Sequence, residues 1–341
     1  MKIHFITCSS NPGKCGITDY VNLLKKELEK NGQIVEVETI DSIKDFANVS
    51  KNLPRSDLYS LQFAPYAFSQ SGLTGKELIT FAKSLTNKNT HINFHEIWIG
   101  AYPKATWKEK TIGWLQKREI INFINICKPS AITCSNSAAL DRMRQTGIDA
   151  KSLYLFGNIP YSPSKKDDSL KHINIVFFGT LYEKFPYDQL VKVLFHISLS
   201  LKKQIHIKIL GRLRESEGLE YLKEVSQKHG FPISLSGELS ISKISEELQR
   251  SDLGISTTPY DIIGKSGATA TMLEHGLPIL AHDDGDTPKS KLFVMNEFID
   301  QVFLLNDDST VARMISFLQK PRKQFFDGVA HTAKKMLKII H

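Results

Sequence analysis

No segment of this 341-residue sequence approaches the roughly 18 uncharged apolar residues needed to cross a bilayer, so nothing in it reads as a membrane span. Cysteine is scarce. Cys8, Cys15, Cys127 and Cys134 form no CxxC pair and no Cys/His cluster at zinc-finger spacing, which argues against a structural metal site and reads as four reduced thiols. The opening MKIHFIT runs straight into a strand-like stretch, without the apolar run and small-residue cleavage site of a secretory leader. A cytoplasmic location is therefore expected. Low-complexity tracts and internal repeats are also absent. With 41% hydrophobic and 23% charged residues, the composition is that of an ordered globular chain and not of a disordered one or a coiled coil. At this length two cores of about 150 residues each are the natural expectation.

What is present in excess is positive charge: 44 Lys and Arg against 36 Asp and Glu, a formal net charge of +8. That balance attracts anions, whether nucleotide phosphates, an acidic acceptor, an anionic leaflet or nucleic acid. The basic clusters KATWKEK (104–110) and Lys334, Lys335 and Lys338 read as solvated helix faces. Across the chain the basic residues show no clear clustering with interleaved aromatics, which speaks against a nucleic-acid partner.

Along the chain, strand-like runs alternate with helical patterns. IHFIT (3–7) leads through SSNPGKCG into an amphipathic helix ending near Gly32, which is a strand, a glycine turn and a helix. Strands are expected at IVEVETI, LYSLQFA and HINFHEIWI (91–99), helices at 75–86 and 107–127, and AITCSN precedes the helix SAALDRMRQTG. A Pro/Ser/charge-rich break at GNIPYSPSKKDDS is followed by a second series: INIVFFGT, IHIKILG, PISLSG, LGISTT and LPILAH, with helices between them and a helical segment from 308 onward. The alternation implies an α/β fold of two doubly wound, Rossmann-type domains with parallel sheets. The boundaries expected are 1–160, 161–307 and a C-terminal helical segment 308–341 that packs back on the first domain.

The most informative stretch is PYDIIGKSGATATMLEHGLPIL (259–280). The loop Gly264, Lys265, Ser266, Gly267, Ala268, Thr269 lies between a strand and a helix start, where unpaired backbone N–H groups and the positive end of the helix dipole suit a diphosphate. Two glycines in a loop serve a plain turn equally well. The stretch resembles the donor-site motif of glycosyltransferase family 4, in which two glutamates eight positions apart flank a glycine loop and helix. The resemblance covers most of the chain and is clearest in its second half. It implies a retaining GT-B glycosyltransferase, with two Rossmann-type domains facing a cleft.

By that resemblance Glu274, in LEHGLP, matches the glutamate that binds the nucleotide ribose, with an ordinary helix-surface residue as the alternative. The family's other glutamate falls at Ser266. Either Ser266 and its backbone take over its contact with the donor sugar, or donor choice differs, or activity is lost. After INIVFFG the family's arginine and lysine positions hold Thr180 and Phe185, with Lys184 one place early, so Lys265 and Arg212 are the candidates to replace the missing charge on the diphosphate. Gly237 in SLSGELS resembles the glycine before the base-binding loop, which points to Glu238 and Leu239. In the first half PGKCGITDY matches the family's N-terminal glycine loop, with Gly13 on the acceptor side and Gly16 near the diphosphate. NFHEIW places His95, where related enzymes carry a histidine beside the anomeric carbon, and Glu96 at a strand end. A structural histidine is the alternative. LQFAPYAF offers Gln62, Tyr66 and Phe68 for an acceptor wall, or as core residues.

The implied reaction is hexosyl transfer from a nucleotide-diphosphate sugar, UDP before GDP, to a glycan, lipid-linked or small-molecule acceptor, with peripheral membrane association as a further partner. No cofactor or metal is expected, because HDDGD, with His282, Asp283, Asp284 and Asp286, reads as a loop. The competing functions are a nucleotide-sugar epimerase and a nucleotide-sugar-binding protein without turnover.

Overall fold

The computed structural model describes residues 1–8, 16–101, 105–163, 172–211, 217–283 and 296–340. The chain divides into two compact units, one formed by Met1–Leu155 with Val329–His341 and the other by Phe156–Gly328. Residues 308–328 thus belong to the second unit, and the last thirteen to the first.

The first unit contains β1 (Lys2–Cys8), α1 (Gly16–Lys30), β2 (Ile34–Ile40), α2 (Phe46–Asn52), β3 (Leu58–Phe63), α3 (Pro65–Phe68), α4 (Gly75–Leu85), β4 (Thr90–Phe94), α5 (Trp107–Cys127), β5 (Ala131–Cys134), α6 (Ser137–Arg144) and β6 (Lys151–Ser152). Its six strands form one parallel sheet in the order β2-β1-β3-β4-β5-β6. One face is apolar: Leu61, Phe63, Ile92, Phe94 and Ile132 pack with Phe46, Phe81 and Phe123 from α2, α4 and α5. The rings of Phe81 and Phe123 stack with centroids 6.4 Å apart. Local chemistry sets the start of α5, where Thr106 Oγ1 accepts the Glu109 N–H and Glu109 Oε2 accepts the Thr106 N–H, a capping box.

The strand expected over 91–99 is shorter, because β4 stops at Phe94. Its neighbours β3 and β5 end at Phe63 and Cys134, so no ladder remains for the residues beyond. His95 keeps one last sheet-like bond, its N–H donating to Phe63 O at 2.9 Å.

The second unit contains β7 (His172–Phe178), α7 (Tyr187–Leu201), β8 (Gln204–Leu210), α8 (Glu217–Lys228), β9 (Ile233–Leu235), α9 (Ile241–Arg250), β10 (Leu253–Ile255), α10 (Gly267–Glu274), β11 (Ile279–Ala281), β12 (Val302–Leu304) and α11 (Thr310–Leu318). The last helix, α12 (Gly328–Ile340), carries the chain into the first unit. There the Thr332 hydroxyl donates to Tyr154 O at 3.2 Å. The second sheet is also parallel, in the order β12-β11-β10-β7-β8-β9. Counted from β7 this is the dinucleotide-fold order 3-2-1-4-5-6. Strand β12 carries no expectation from the sequence; its three residues fall between a short helical turn and the approach to α11.

Candidate functional site

In open parallel sheets a ligand sits at the carboxyl ends of the strands where the strand order reverses. In the second unit that point lies between β7 and β10, which are direct neighbours although they are not consecutive in the chain. The loops following the two strands are tied together there. Thr257 Oγ1 donates to Thr180 O at 2.6 Å, and the Tyr182 N–H donates back to Thr257 Oγ1 at 3.4 Å. Gly179, the first residue after β7, has φ +98°, a conformation that L side chains avoid. A Cβ built on it would stand 2.9 Å from the Ala268 Cβ. The backbone after β7 therefore passes directly against the first turn of α10.

That first turn is organised by hydroxyls. Ser266 is the N-cap: its Oγ accepts the Thr269 N–H at 3.1 Å and the Thr269 hydroxyl at 2.9 Å. The Thr269 proton being used there, the 2.8 Å bond to Ser256 runs from Ser256 Oγ to Thr269 Oγ1. The first intrahelical bond is Ala270 N–H to Ser266 O, which leaves the N–H groups of Gly267 and Ala268 ahead of the helical ladder. Gly267 faces open space, since a Cβ added to it meets nothing within 4 Å. A helix N-terminus with free space in front of it, at a topological switch point, favours an anionic group. Gly264 lies in the short helical turn just upstream, with exposed Lys265 at its end. Ser266 itself is committed to capping, for which serine is a favoured residue. Ser256 and Thr257 carry no functional signal in the sequence, where they read as the end of a strand.

Other expected donor-side residues occupy the same edge of the sheet. Gly237 (φ +62°) follows β9, and its carbonyl accepts the N–H of Gly211, which follows β8, at 3.1 Å. Glu238 is exposed and Leu239 half-buried in that loop. Lys184 is exposed, whereas Phe185 is buried against the ring of Tyr187 at 5.1 Å. Arg212 lies outside the described residues, as do Gly13, Asp284 and Asp286.

Glu274 ends α10 and is 2% exposed. Its Oε1 accepts the Gly157 N–H at 2.9 Å. Its backbone carbonyl accepts the Phe326 N–H at 2.9 Å.

In the first unit the reversal of strand order lies between β1 and β3. Gly16 opens α1 beyond the end of β1, exposed and with open space at its Cβ position. Tyr66 is 42% exposed in α3, while Gln62 and His95 are buried and Glu96 is half-buried. Phe68 belongs to the apolar core beside Phe46. His95 stands edge-on to Tyr20 of α1, with centroids 5.0 Å apart. Burial holds its imidazole neutral, lowering its pKa to about 4. Around it the sheet face turned away from the phenylalanine core is polar: Ser60, Gln62, His91, Asn93 and Thr133 are all fully buried. The sequence carries that signal in polar residues at every second place of LYSLQF, THINF and AITC, of which motif reasoning finds only Gln62 and the neighbouring His95.

No protein-family model matches the sequence, and no curated protein does. Solved structures do. HepE of Anabaena, in complex with UDP and glucose, aligns over 100% of this chain and 95% of its own with a TM-score of 0.56 and 15% identity. AviGT4, a glycosyltransferase involved in avilamycin A biosynthesis, aligns over 100% and 97% with a TM-score of 0.53 and 12% identity. A putative UDP-N-acetylglucosamine 2-epimerase from Listeria monocytogenes aligns over 98% and 94% with a TM-score of 0.52 and 10% identity. At such identities the likeness establishes the fold: two Rossmann-like units of the GT-B type. Among the described residues no helix is long and apolar enough to cross a membrane.

Proposed function

We propose that this chain is a glycosyltransferase that uses a nucleotide-diphosphate sugar, with UDP as the nucleotide. The observation that carries the reading is the start of α10, where the N–H groups of Gly267 and Ala268 precede the helical ladder beside the β7–β10 reversal. The diphosphate rests there, on fixed dipoles that meet the negative charge gained as the glycosidic bond breaks. Lys265 and Lys184 add positive charge along the same strand edge. HepE binds UDP and glucose, which favours UDP and a hexose. The donor role belongs to the second unit, with Glu238 and Leu239 toward the base and Glu274 toward the ribose. The acceptor role belongs to the first, with Gln62, Tyr66, Glu96 and His95. Transfer proceeds with retention and needs no metal, and the acceptor is a glycan, a lipid-linked glycan or a small molecule, met in the cytoplasm or at a membrane surface.

The test is a thermal-shift screen of UDP- and GDP-sugars, in which a ligand at 100 times its Kd adds about 2.7 kcal/mol of folding stability. Product analysis by NMR follows, with and without acceptors. A stabilising UDP-sugar together with a glycoside of unchanged anomeric configuration is the expected outcome. The likeness to the Listeria protein favours epimerisation as the second reading. An altered free sugar or UDP-sugar formed without any acceptor would establish it instead.

A further inference from the structure

Strands of a parallel sheet covered on both faces are normally apolar throughout. One face of β3, β4 and β5 departs from this. Ser60 lies opposite His91, Gln62 opposite Asn93, and Asn93 opposite Thr133. Their side chains close a ring of hydrogen bonds whose directions follow from the chemistry of each group. Gln62 Nε2 donates to Ser60 Oγ at 2.9 Å, Thr133 Oγ1 donates to Asn93 Oδ1 at 2.8 Å, and Asn93 Nδ2 donates to Gln62 Oε1 at 3.0 Å. Because the Thr133 proton is spent on Asn93, the 2.9 Å bond between His91 Nε2 and Thr133 Oγ1 is donated by the imidazole. The His91 ring is neutral, burial and the neighbouring His95 lowering its pKa to about 3, so its Nδ1 is bare and accepts the Ser60 hydroxyl at 2.9 Å. Five side chains thus donate in one continuous sense.

His95 joins this ring at Gln62, its Nε2 lying 3.0 Å from Gln62 Oε1. The other neighbour of Nε2 is Asn93 Nδ2 at 3.3 Å. If Nε2 accepted from Asn93, the proton of His95 would sit on Nδ1, which is buried and has no hydrogen-bond partner among the described residues. An orphaned buried N–H is costlier than an empty lone pair. Donation from Nε2–H to Gln62 Oε1 therefore prevails. Matched apolar side chains could fill this space about as stably. What the polar ring supplies beyond packing is direction.

We infer that the ring Gln62–Ser60–His91–Thr133–Asn93 is a positioning device that holds His95 as its Nε2–H tautomer and leaves Nδ1 as its bare, accepting nitrogen. The tautomer follows from Gln62 Oε1 in the ring together with the partnerless Nδ1; its use in transfer rests on the function proposed above.

Nitrogen-15 NMR of the histidine-labelled full chain reads the tautomers directly. The expected result is a protonated Nε2 and a bare Nδ1 for both His91 and His95. Thr133→Val opens the ring and should give His95 mixed tautomer shifts, and Thr133→Ser should restore the parent pattern. UDP release from UDP-glucose should fall by about 10–100-fold in kcat in Thr133→Val, as when other outer partners that orient an imidazole are lost, with KM little changed and Thr133→Ser rescuing it. Ser60→Ala opens the ring at another bond and serves if Thr133→Val does not fold. A protonated Nδ1 on His95 in the parent, or His95 shifts unmoved by opening the ring, would overturn the device. Shifts that move while kcat stays constant would overturn its part in transfer and leave the tautomer assignment standing. A parent that releases no UDP counts against the functional reading, while the nitrogen shifts still decide the tautomer.

Discussion

Glu274 Oε1 accepts the Gly157 N–H at 2.9 Å, so the carboxylate that ends α10 is held by a backbone group 117 residues earlier in the chain. A Cβ on Gly328 would fall 2.0 Å from the same oxygen, which shows how closely the chain wraps this side chain. A carboxylate at a helix C-terminus opposes the helix dipole, so a compensating donor is required. Glu274→Ala should therefore lower unfolding free energy by about 1–3 kcal/mol, the cost of leaving a buried donor unpaired. Urea denaturation checks this, and UDP titration of the folded variant checks the ribose role in parallel. Lost stability with unchanged UDP affinity would make Glu274 part of the scaffold and remove it from the donor site.

Gly267 offers a cleaner probe of the phosphate site, because a Cβ placed on it meets nothing within 4 Å. Gly267→Val should fold with a thermal midpoint close to that of the parent while pushing its methyl groups into the space before the helix. Affinity for UDP should drop at least about tenfold, or roughly 1.4 kcal/mol. Calorimetric titration that returns the parent Kd would refute the assignment of the diphosphate to this loop.

Arg322 holds the second unit together from its C-terminal side. Its guanidinium donates to the carbonyls of His275 (3.0 and 2.6 Å), Gln249 (2.6 Å), Ser251 (2.9 Å) and Leu248 (2.9 Å). These carbonyls sit at the C-terminal ends of α9 and α10, where a cation is favoured. Only the planar guanidinium reaches four such acceptors together, so Arg322→Lys should recover little of what is lost. We expect Arg322→Ala to cost about 2–4 kcal/mol, in the range of broken buried hydrogen-bond networks. Chemical denaturation of both variants measures it; a loss below about 0.5 kcal/mol, the scale of an ordinary surface substitution, contradicts it.

Acid should destabilise the fold well before carboxylates titrate. Burial lowers the pKa of His91 to about 3 and those of His95 and His275 to about 4, with Arg322 adding a smaller push in the same direction on His275. In the unfolded chain each titrates near 6.5. Below that value the unfolded state binds protons that the folded state refuses, so stability present above about pH 6.5 is lost as pH falls toward about 4. At about pH 5 each histidine should cost on the order of 1–2 kcal/mol. Urea midpoints at neutral pH and at about pH 5 test the sign: a midpoint that holds or rises on acidification rules the prediction out.

The α/β alternation, the restart of the pattern at INIVFFG and the glycine-containing turn before α10 are readable in the order of residues, because each depends on residues that are close together in the chain. Period-2 and period-3.6 patterns assign faces from local spacing alone. Strand order and register, and with them which faces meet, are fixed only in the folded chain. Folding put His91, from β4, between Ser60 of β3 and Thr133 of β5, partners 31 and 42 residues away. It also made Glu274, matched in the sequence to a ribose ligand, an acceptor buried against Gly157, and made Arg322 a cap for two helices. Local propensity carries no information about such pairs, since their energy appears only when the sheets close and buried polar groups must find one another.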